Sequence, residues 1–152
     1  MPCWSSILEA LSVYLGLAAL AFGAATLLPL QSEAALAGLL LTERYATSLL
    51  LLAATLGNVA GSTLNWWLGT HLERFRQRRW FPLSAERLTR IQAAYQRWGW
   101  WSLLLSWTPV IGDPLTLVAG VMREPLWRFL VVVTLAKATR YVVVWGLTLG
   151  WQ

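Results

Sequence analysis

Residues 45–70 read YATSLLLLAATLGNVAGSTLNWWLGT, a stretch of 26 residues without a charged side chain. An α-helix needs about 20 apolar residues to cross the roughly 30 Å hydrocarbon core of a bilayer. Residues 10–32 form a second uncharged stretch, and residues 129–151 are apolar except for Lys137 and Arg140. These stretches predict about three membrane-spanning helices.

The composition of the 152-residue chain also indicates a membrane protein. Apolar residues make up 57% of it, charged residues only 12%, and its mean hydropathy is +0.54. A soluble globular domain normally carries about twice that charged fraction. One cysteine and much apolar mass exclude a disulfide scaffold and a disordered chain. The length predicts a single membrane domain over residues 1–152.

The positive charge is concentrated in one loop. Residues 71–97 hold seven arginines and two glutamates, a net charge of +5, and the rest of the chain sums to zero. The positive-inside rule places this loop in the cytoplasm. A basic patch can also bind nucleic acid. Between two spans, however, anionic headgroups explain the charge, so we expect membrane lipids as partners and no nucleic acid.

The second half of this loop predicts an amphipathic helix with Ser84 as its N-cap. Its apolar and basic side chains fall on different faces: Leu88, Ile91, Tyr95 and Trp98 on one, and Arg87, Arg90 and Arg97 on another. This pattern is typical of a helix lying at the headgroup level. A connector helix that packs its apolar stripe on protein has the same pattern, and both interpretations stay open.

Two segments are too broken to span. Residues 27–41 read LLPLQSEAALAGLLL, and residues 108–122 read TPVIGDPLTLVAGVM. In each, an acid lies four positions after a proline and precedes a short apolar run: Pro29 with Glu33, and Pro109 with Asp113. Such breaks in two corresponding places predict re-entrant segments that meet at a transporter-type site.

The alternative to re-entrant segments is a pair of kinked helices with surface acids. Glu33 would then lie at a membrane edge beside Glu43 and Arg44.

Four ionisable residues in apolar surroundings are the candidate site. A charge inside a membrane costs about 2.5–3.5 kcal/mol even on the most lenient scale, so Glu33 and Asp113 need partners. Lys137 and Arg140 are three positions apart and share a helix face. We predict that the four line one polar cavity, with the acids as proton acceptors. Structural ion pairs would leave the same pattern, and the sequence does not assign which acid pairs with which base.

Small and amide residues recur every four positions in the uncharged stretch 45–70: Gly57, Gly61, Asn65 and Gly69. This spacing predicts close helix packing, with an amide bonding across the contact. Asn58 and Asn65 are candidates both for packing and for lining a substrate path.

The small number of residues that commonly carry catalysis argues against an enzyme. His71 is the only histidine and Asp113 the only aspartate. Phosphoryl chemistry and metal sites need more of these side chains, and we expect neither a metal nor a cofactor.

The motifs in their order resemble the DedA family, the bacterial branch of the VTT-domain (SNARE-associated) superfamily, and most of all its short YqaA-type branch. The resemblance covers roughly residues 20–150. It is carried by LLPLQSEAALAGLLL, GNVAGSTLNWWLG, the arginine-rich loop, SWTPVIGDPLTLVAG and LAKATRYVVVWG. The most specific pieces are the segment containing Pro109, Gly112 and Asp113, and the run Lys137-x-x-Arg140-Tyr141.

The resemblance implies two re-entrant segments that face each other from opposite leaflets, surrounded by transmembrane helices. It also implies movement of lipids, since bacterial members flip undecaprenyl phosphate or phosphatidylethanolamine and eukaryotic relatives are scramblases. Proton coupling through membrane acids and arginines is proposed for bacterial members.

This sequence departs from the family pattern at three places. The usual Gly-Asp is here Gly57-Asn58, and the family's Arg-x-x-Pro-x-x-Arg begins with Ser106 and ends with Gly112. Glu124 stands where the family has an aliphatic residue. Lys137 and Arg140 are hypothesised to replace the missing arginines.

The sequence thus predicts an all-α polytopic protein of the bacterial cytoplasmic membrane that acts as a lipid flippase- or scramblase-like transporter. Ion or proton coupling and homo-oligomerisation are left open. The alternative function is a noncatalytic membrane-integrity or assembly factor.

Overall fold

The computed structural model describes residues 4–26, 32–71, 84–108 and 111–151. Three long helices form the frame: α1 (Trp4–Thr26), α3 (Thr47–Thr70) and α6 (Leu126–Leu149). Each is long and apolar enough to cross a membrane, because a helix of this length rises about 35 Å. The prediction of about three membrane-spanning helices is confirmed for the described part of the chain, in which every regular element is helical.

Four shorter elements complete the bundle: α2 (Ser32–Leu41), α4 (Ala85–Trp98), a 3-10 helix (Gly99–Trp107) and α5 (Gly112–Val121). With ten residues each, α2 and α5 rise only about 15 Å, half the thickness of a hydrocarbon core. Pro29 and Pro109, which we predicted to break these segments, lie outside the described residues.

Helices α1 and α3 run parallel in close contact. A Cβ added at Gly57 would overlap the backbone of Ala18, and one at Gly61 would overlap that of Phe22. The Asn65 amide donates a hydrogen bond to the Ala25 carbonyl at 2.7 Å. The close approach predicted from the four-residue spacing is confirmed, because only residues without a side chain allow the two backbones to meet here.

Helix α2 is antiparallel to α3 and lies along the first half of α3. Ser32 at its start lies beside Tyr141, which also binds Asn58 in the middle of α3. Near its end, Leu40 belongs to the same buried cluster as Leu50, one turn into α3. The segment therefore leads from the middle of the bundle to the end that carries Thr47, called the Thr47 end below.

The 3-10 helix and α5 occupy the other half of the bundle. Trp100, in the 3-10 helix, lies beside Arg128 at the start of α6, and Ser106 contacts Gly112. Helix α5 then returns to the end of the bundle that carries Thr70, called the Thr70 end, where Gly120 packs on α3. Both half-length helices thus begin in the middle of the bundle and end at opposite ends. Their re-entrant position in a membrane stays a prediction.

Helix α4 packs on protein at the Thr70 end. The predicted N-cap is confirmed, since the Ser84 hydroxyl accepts a hydrogen bond from the Arg87 amide at 3.3 Å. Ile91 and Tyr95 join the core formed by α5, α6 and the 3-10 helix, as the connector-helix alternative requires. Trp98 is exposed and does not follow that stripe.

Glu124, between α5 and α6, is the anchor of α4. Its carboxylate accepts hydrogen bonds from the Tyr95 hydroxyl at 2.7 Å and from Arg128 at 3.1 Å. Its carbonyl accepts one from the Trp66 indole at 3.0 Å. Burial raises the pKa of the Tyr95 phenol, and the hydrogen bond to Glu124 raises it further, so Tyr95 stays a donor. The segment around Glu124 therefore lies at the Thr70 end with α4.

Replacing Tyr95 with phenylalanine is expected to loosen α4. The change removes a buried hydrogen bond to a charged acceptor, an interaction worth about 1.5–3 kcal/mol. Hydrogen exchange followed by mass spectrometry should show about tenfold or more faster exchange of the α4 amides. Arg90→Ala, which breaks the exposed pair with Glu86, is the control and should change the exchange little. Equal exchange in the two variants would contradict the anchoring role of Glu124.

Candidate functional site

The candidate site is built around the middle of α6. This helix is apolar apart from a few polar residues, and it carries Lys137 and Arg140 three positions apart. The spacing directs both side chains to the side of α6 that faces the half-length helices. Lys137 is fully buried, which a lysine tolerates only when its ammonium is paired.

Asp113 supplies the partner of Lys137. The Lys137 Nζ lies 2.9 Å from an Asp113 carboxylate oxygen, and the aspartate side chain is 20% exposed. Asp113 stands in the first turn of α5, where a negative charge is stabilised by the helix dipole and the free amides. The Thr116 hydroxyl donates to the Asp113 carbonyl at 2.6 Å, which fixes the same turn.

Glu33 supplies the partner of Arg140 in the same way. The two side chains form an ion pair and are 28% and 13% exposed respectively. Glu33 stands in the first turn of α2, so each half-length helix brings an acid at its N-terminus to a base on α6. Glu33 does not lie beside Glu43 and Arg44, which follow the opposite end of α2, and the choice between re-entrant segments and kinked helices stays a prediction.

Tyr141, next to Arg140 on α6, links the start of α2 to the middle of α3. Its hydroxyl is 3.2 Å from the Ser32 hydroxyl and accepts a hydrogen bond from the Asn58 amide at 2.9 Å. Tyr141, Ser32 and Asn58 are all buried. We call the following set the polar centre: Ser32, Glu33, Asn58, Asp113, Lys137, Arg140 and Tyr141.

Two polar atoms on the inner face of α3 lack a hydrogen-bond partner among the described residues. They are the side-chain oxygen of Asn58 and the hydroxyl of Ser62 one turn later. Because α3 and α6 are antiparallel and Asn58 meets Tyr141, Ser62 lies at about the level of Lys137. An unpaired buried polar atom costs about 1–3 kcal/mol. The polar centre and the neighbouring Ser62 therefore have spare capacity to bind water or a ligand hydroxyl.

The formal charges of the polar centre cancel, with two carboxylates against an ammonium and a guanidinium. Such an arrangement can exchange partners. If a carboxylate takes up a proton, its base is free to bind another anion. Among the described residues, no three His, Cys, Asp or Glu side chains come close enough to hold a metal ion.

The predicted site residues divide into those of the polar centre, those that serve packing, and Pro29 and Pro109, which lie outside the described residues. Glu33 meets Arg140, Asp113 meets Lys137, and Asn58 and Tyr141 complete the polar centre. Asn65 and Gly112 instead serve packing. That the four charged residues line one shared cavity stays a prediction.

The packing contacts of Asn65 and Gly112 are specific. The Asn65 amide also reaches the Thr116 hydroxyl at 3.3 Å and so links α1, α3 and α5. A Cβ at Gly112 would overlap the Ser106 carbonyl, which explains why the turn between the 3-10 helix and α5 needs a glycine.

Ser32 and Ser62 were not predicted from the sequence to belong to the site. A signal existed for each: Ser32 precedes the acid of α2 directly, and Ser62 follows Asn58 at helical spacing. Glu124 was recognised only as a departure from a pattern, although it anchors α4.

A comparison with protein families matches the VTT domain over residues 11–148. The chain is 41% identical over 138 residues to the inner membrane protein YqaA of Escherichia coli K12 and to that of Shigella flexneri, with 90% of each chain covered. It is 33% identical over 129 residues to a protein of Haemophilus influenzae, which covers 80% of this chain and 78% of the relative. No solved structure matches.

Proposed function

Because the chain belongs to the VTT-domain family and, within it, to the DedA proteins, we propose that it is a lipid flippase- or scramblase-like transporter. Its cargo is the anionic or zwitterionic headgroup of an (iso)prenyl lipid or a phospholipid. The apolar helices are consistent with a bacterial inner membrane protein, and so is the similarity of the chain to the inner membrane protein YqaA. The arginine-rich loop then faces the cytoplasm.

The observation that carries the proposal is the pairing of two acids with two bases in the middle of an apolar bundle. Ionisable groups at this depth are costly and usually mark a transport pathway. Here both acids stand at the N-termini of half-length helices, as at the central sites of transporters with inverted repeats. In this proposal, α2 and residues 99–121 are re-entrant segments that enter from opposite leaflets.

The mechanism is an exchange of anions on Arg140 and Lys137. Protonation of Glu33 or Asp113 releases a base, the base binds a headgroup phosphate, and the unpaired oxygens of Asn58 and Ser62 hold water or headgroup hydroxyls. Deprotonation re-forms the ion pair and expels the headgroup. The acyl chains stay in the surrounding lipid, and in this mechanism no covalent bond is made or broken.

The test is the rate of headgroup translocation in reconstituted vesicles, measured with fluorescent phosphatidylglycerol, phosphatidylethanolamine and undecaprenyl phosphate. Arg140→Gln is expected to slow translocation of the cargo lipid about 10- to 100-fold, because a hydrogen bond to a charged group contributes about 1.5–3 kcal/mol. Arg90→Gln, an exposed arginine on α4, is the matched control.

Three outcomes would contradict or redirect the proposal. Equal rates in Arg140→Gln and Arg90→Gln would exclude a role of the polar centre in transport. Rates for the unchanged protein that equal those of empty vesicles would exclude transport of the lipids tested. A stable co-purifying partner without lipid movement would favour the membrane-integrity or assembly factor.

A further inference from the structure

The described part of the chain forms a half-open cavity of about 220 Å³ at the Thr47 end, away from the polar centre. The residues after α2, the start of α3 and the end of α6 form its walls. Its lining combines aromatic rings, a carboxylate and hydroxyls: Tyr45, Trp145, Glu43, Thr47 and Thr148, together with Leu40 and Leu149. The polar centre does not use any of these side chains.

The backbone conformation of Glu43 is unusual. Its φ is +52°, in the left-handed region, at the position after a helix where glycine or asparagine normally stands. Glutamate is disfavoured in this conformation. Arg123 has the same conformation after α5, with a φ of +54°, so the conformation marks the helix end, and Glu43 is of interest for its place in the cavity lining.

Among the described residues that line the cavity, only Glu43 is charged. It is exposed, and none of the ion pairs among the described residues includes it. Helices α2 and α6 end at this cavity and α3 begins there, so the partial negative charges of two helix ends outweigh the partial positive charge of one. The cavity therefore favours a cation.

The aromatic walls decide which kind of cation fits. Tyrosine and tryptophan faces attract organic ammonium groups, which are weakly hydrated. A metal ion such as Ca²⁺ is instead strongly hydrated and is usually held by several carboxylates among six to eight oxygen ligands, whereas Glu43 is the one carboxylate in the described lining. The Tyr45 and Tyr14 rings form a T-shaped pair with their centroids 6.0 Å apart, and the Tyr14 hydroxyl accepts a hydrogen bond from the Ala46 amide at 3.2 Å.

We propose that this cavity binds an ammonium group, with Glu43 as the counter-ion and Tyr45 and Trp145 as the aromatic walls. Such a group occurs in amine-bearing lipid headgroups and in free small amines. The hydroxyls of Thr47 and Thr148 are acceptors for its N–H groups. This inference does not depend on transport at the polar centre.

The test follows the Trp145 ring during a titration. The full chain is labelled with 5-fluorotryptophan and placed in phosphatidylglycerol nanodiscs, and the ¹⁹F resonance that disappears in Trp145→Phe identifies the ring. Tetramethylammonium chloride should shift this resonance saturably, and sodium chloride at the same ionic strength should not. In Glu43→Gln the apparent affinity should fall about tenfold or more, as for the loss of a charged partner.

Glu9→Gln, an exposed glutamate on α1, is the matched control and should titrate like the unchanged protein. A shift that does not saturate, or one that is equal in Glu43→Gln and Glu9→Gln, would overturn the proposal. If Trp145→Phe does not fold, Tyr45→Leu serves as a second variant, because loss of one aromatic wall should also weaken the titration.

Nanodiscs with phosphatidylethanolamine distinguish the two sources of the ammonium group. If a lipid headgroup occupies the cavity, the Trp145 resonance is already shifted and added ethanolamine changes nothing. If the ligand is a free amine, ethanolamine shifts the resonance in both lipids. Arg140→Gln should titrate normally even where it abolishes translocation, so a failure of the proposed transport is distinguishable from a failure of this site.

Discussion

Lys137→Met is expected to lower the free energy of unfolding by about 3–5 kcal/mol, the usual cost of breaking a buried ion pair on one side. Methionine keeps most of the lysine volume, so packing changes little. The loss arises because Asp113, 2.9 Å from the Lys137 ammonium, is left as a largely buried charge without its partner. The measurement is equilibrium unfolding of the purified protein in mixed micelles, followed by tryptophan fluorescence.

The double variant Lys137→Met/Asp113→Asn separates the ion pair from other roles of the lysine. Removing both charges is often nearly neutral, since neither partner is left unpaired. We therefore expect the double variant to recover most of the lost stability. Glu86→Gln, which breaks the exposed pair with Arg90, should have little effect. A double variant no more stable than Lys137→Met would show that the aspartate is not the partner that matters.

Gly120→Ala is expected to lower the free energy of unfolding by about 1–3 kcal/mol, the range for overpacking a dense contact. A Cβ at this position would overlap the Trp66 carbonyl and lie 3.0 Å from the Gly69 Cα. Both neighbours are backbone atoms of α3, so they can give way only if α5 moves. The same unfolding measurement applies, and translocation is expected to fall with it because α5 carries Asp113.

Gly146→Ala is the matched control on α6. Nothing lies within 4 Å of a Cβ placed there, so the change should be neutral or stabilise the helix by up to about 1 kcal/mol. Gly120→Ala and Gly146→Ala introduce the same methyl group, but only at Gly120 do α3 and α5 leave no room for it. The comparison of the two variants therefore tests this close contact. If the two variants unfold alike, the two helices do not touch at Gly120.

The membrane-spanning helices could be predicted because hydrocarbon excludes charge. Uncharged stretches therefore mark the spans, and the few ionisable residues that remain are conspicuous. For the same reason Glu33, Asp113, Lys137 and Arg140 could be selected as candidates without a structure. The close packing along α3 was equally accessible, since glycine at four-residue spacing has a direct steric consequence.

The pairing within the site could not be predicted. Lys137 and Arg140 share one face of α6, so spacing allows either base to meet either acid. The choice depends on where α2 and α5 begin along α6, and the packing of both helices against α3 sets that position. The interpretation of α4 was undecided for a similar reason, because an apolar stripe looks the same whether protein or lipid covers it.

The sequence by itself determined that this is a helical membrane protein with about three spans and four ionisable residues as candidates for its site. It could do so because the cost of charge in hydrocarbon acts on each residue separately. The tertiary structure alone decided the partners. It set Glu33 against Arg140 and Asp113 against Lys137, and it gathered Glu43, Tyr45 and Trp145 around one cavity. Contacts between segments far apart in the chain follow from the direction and depth at which helices pack, which no local pattern of residues encodes.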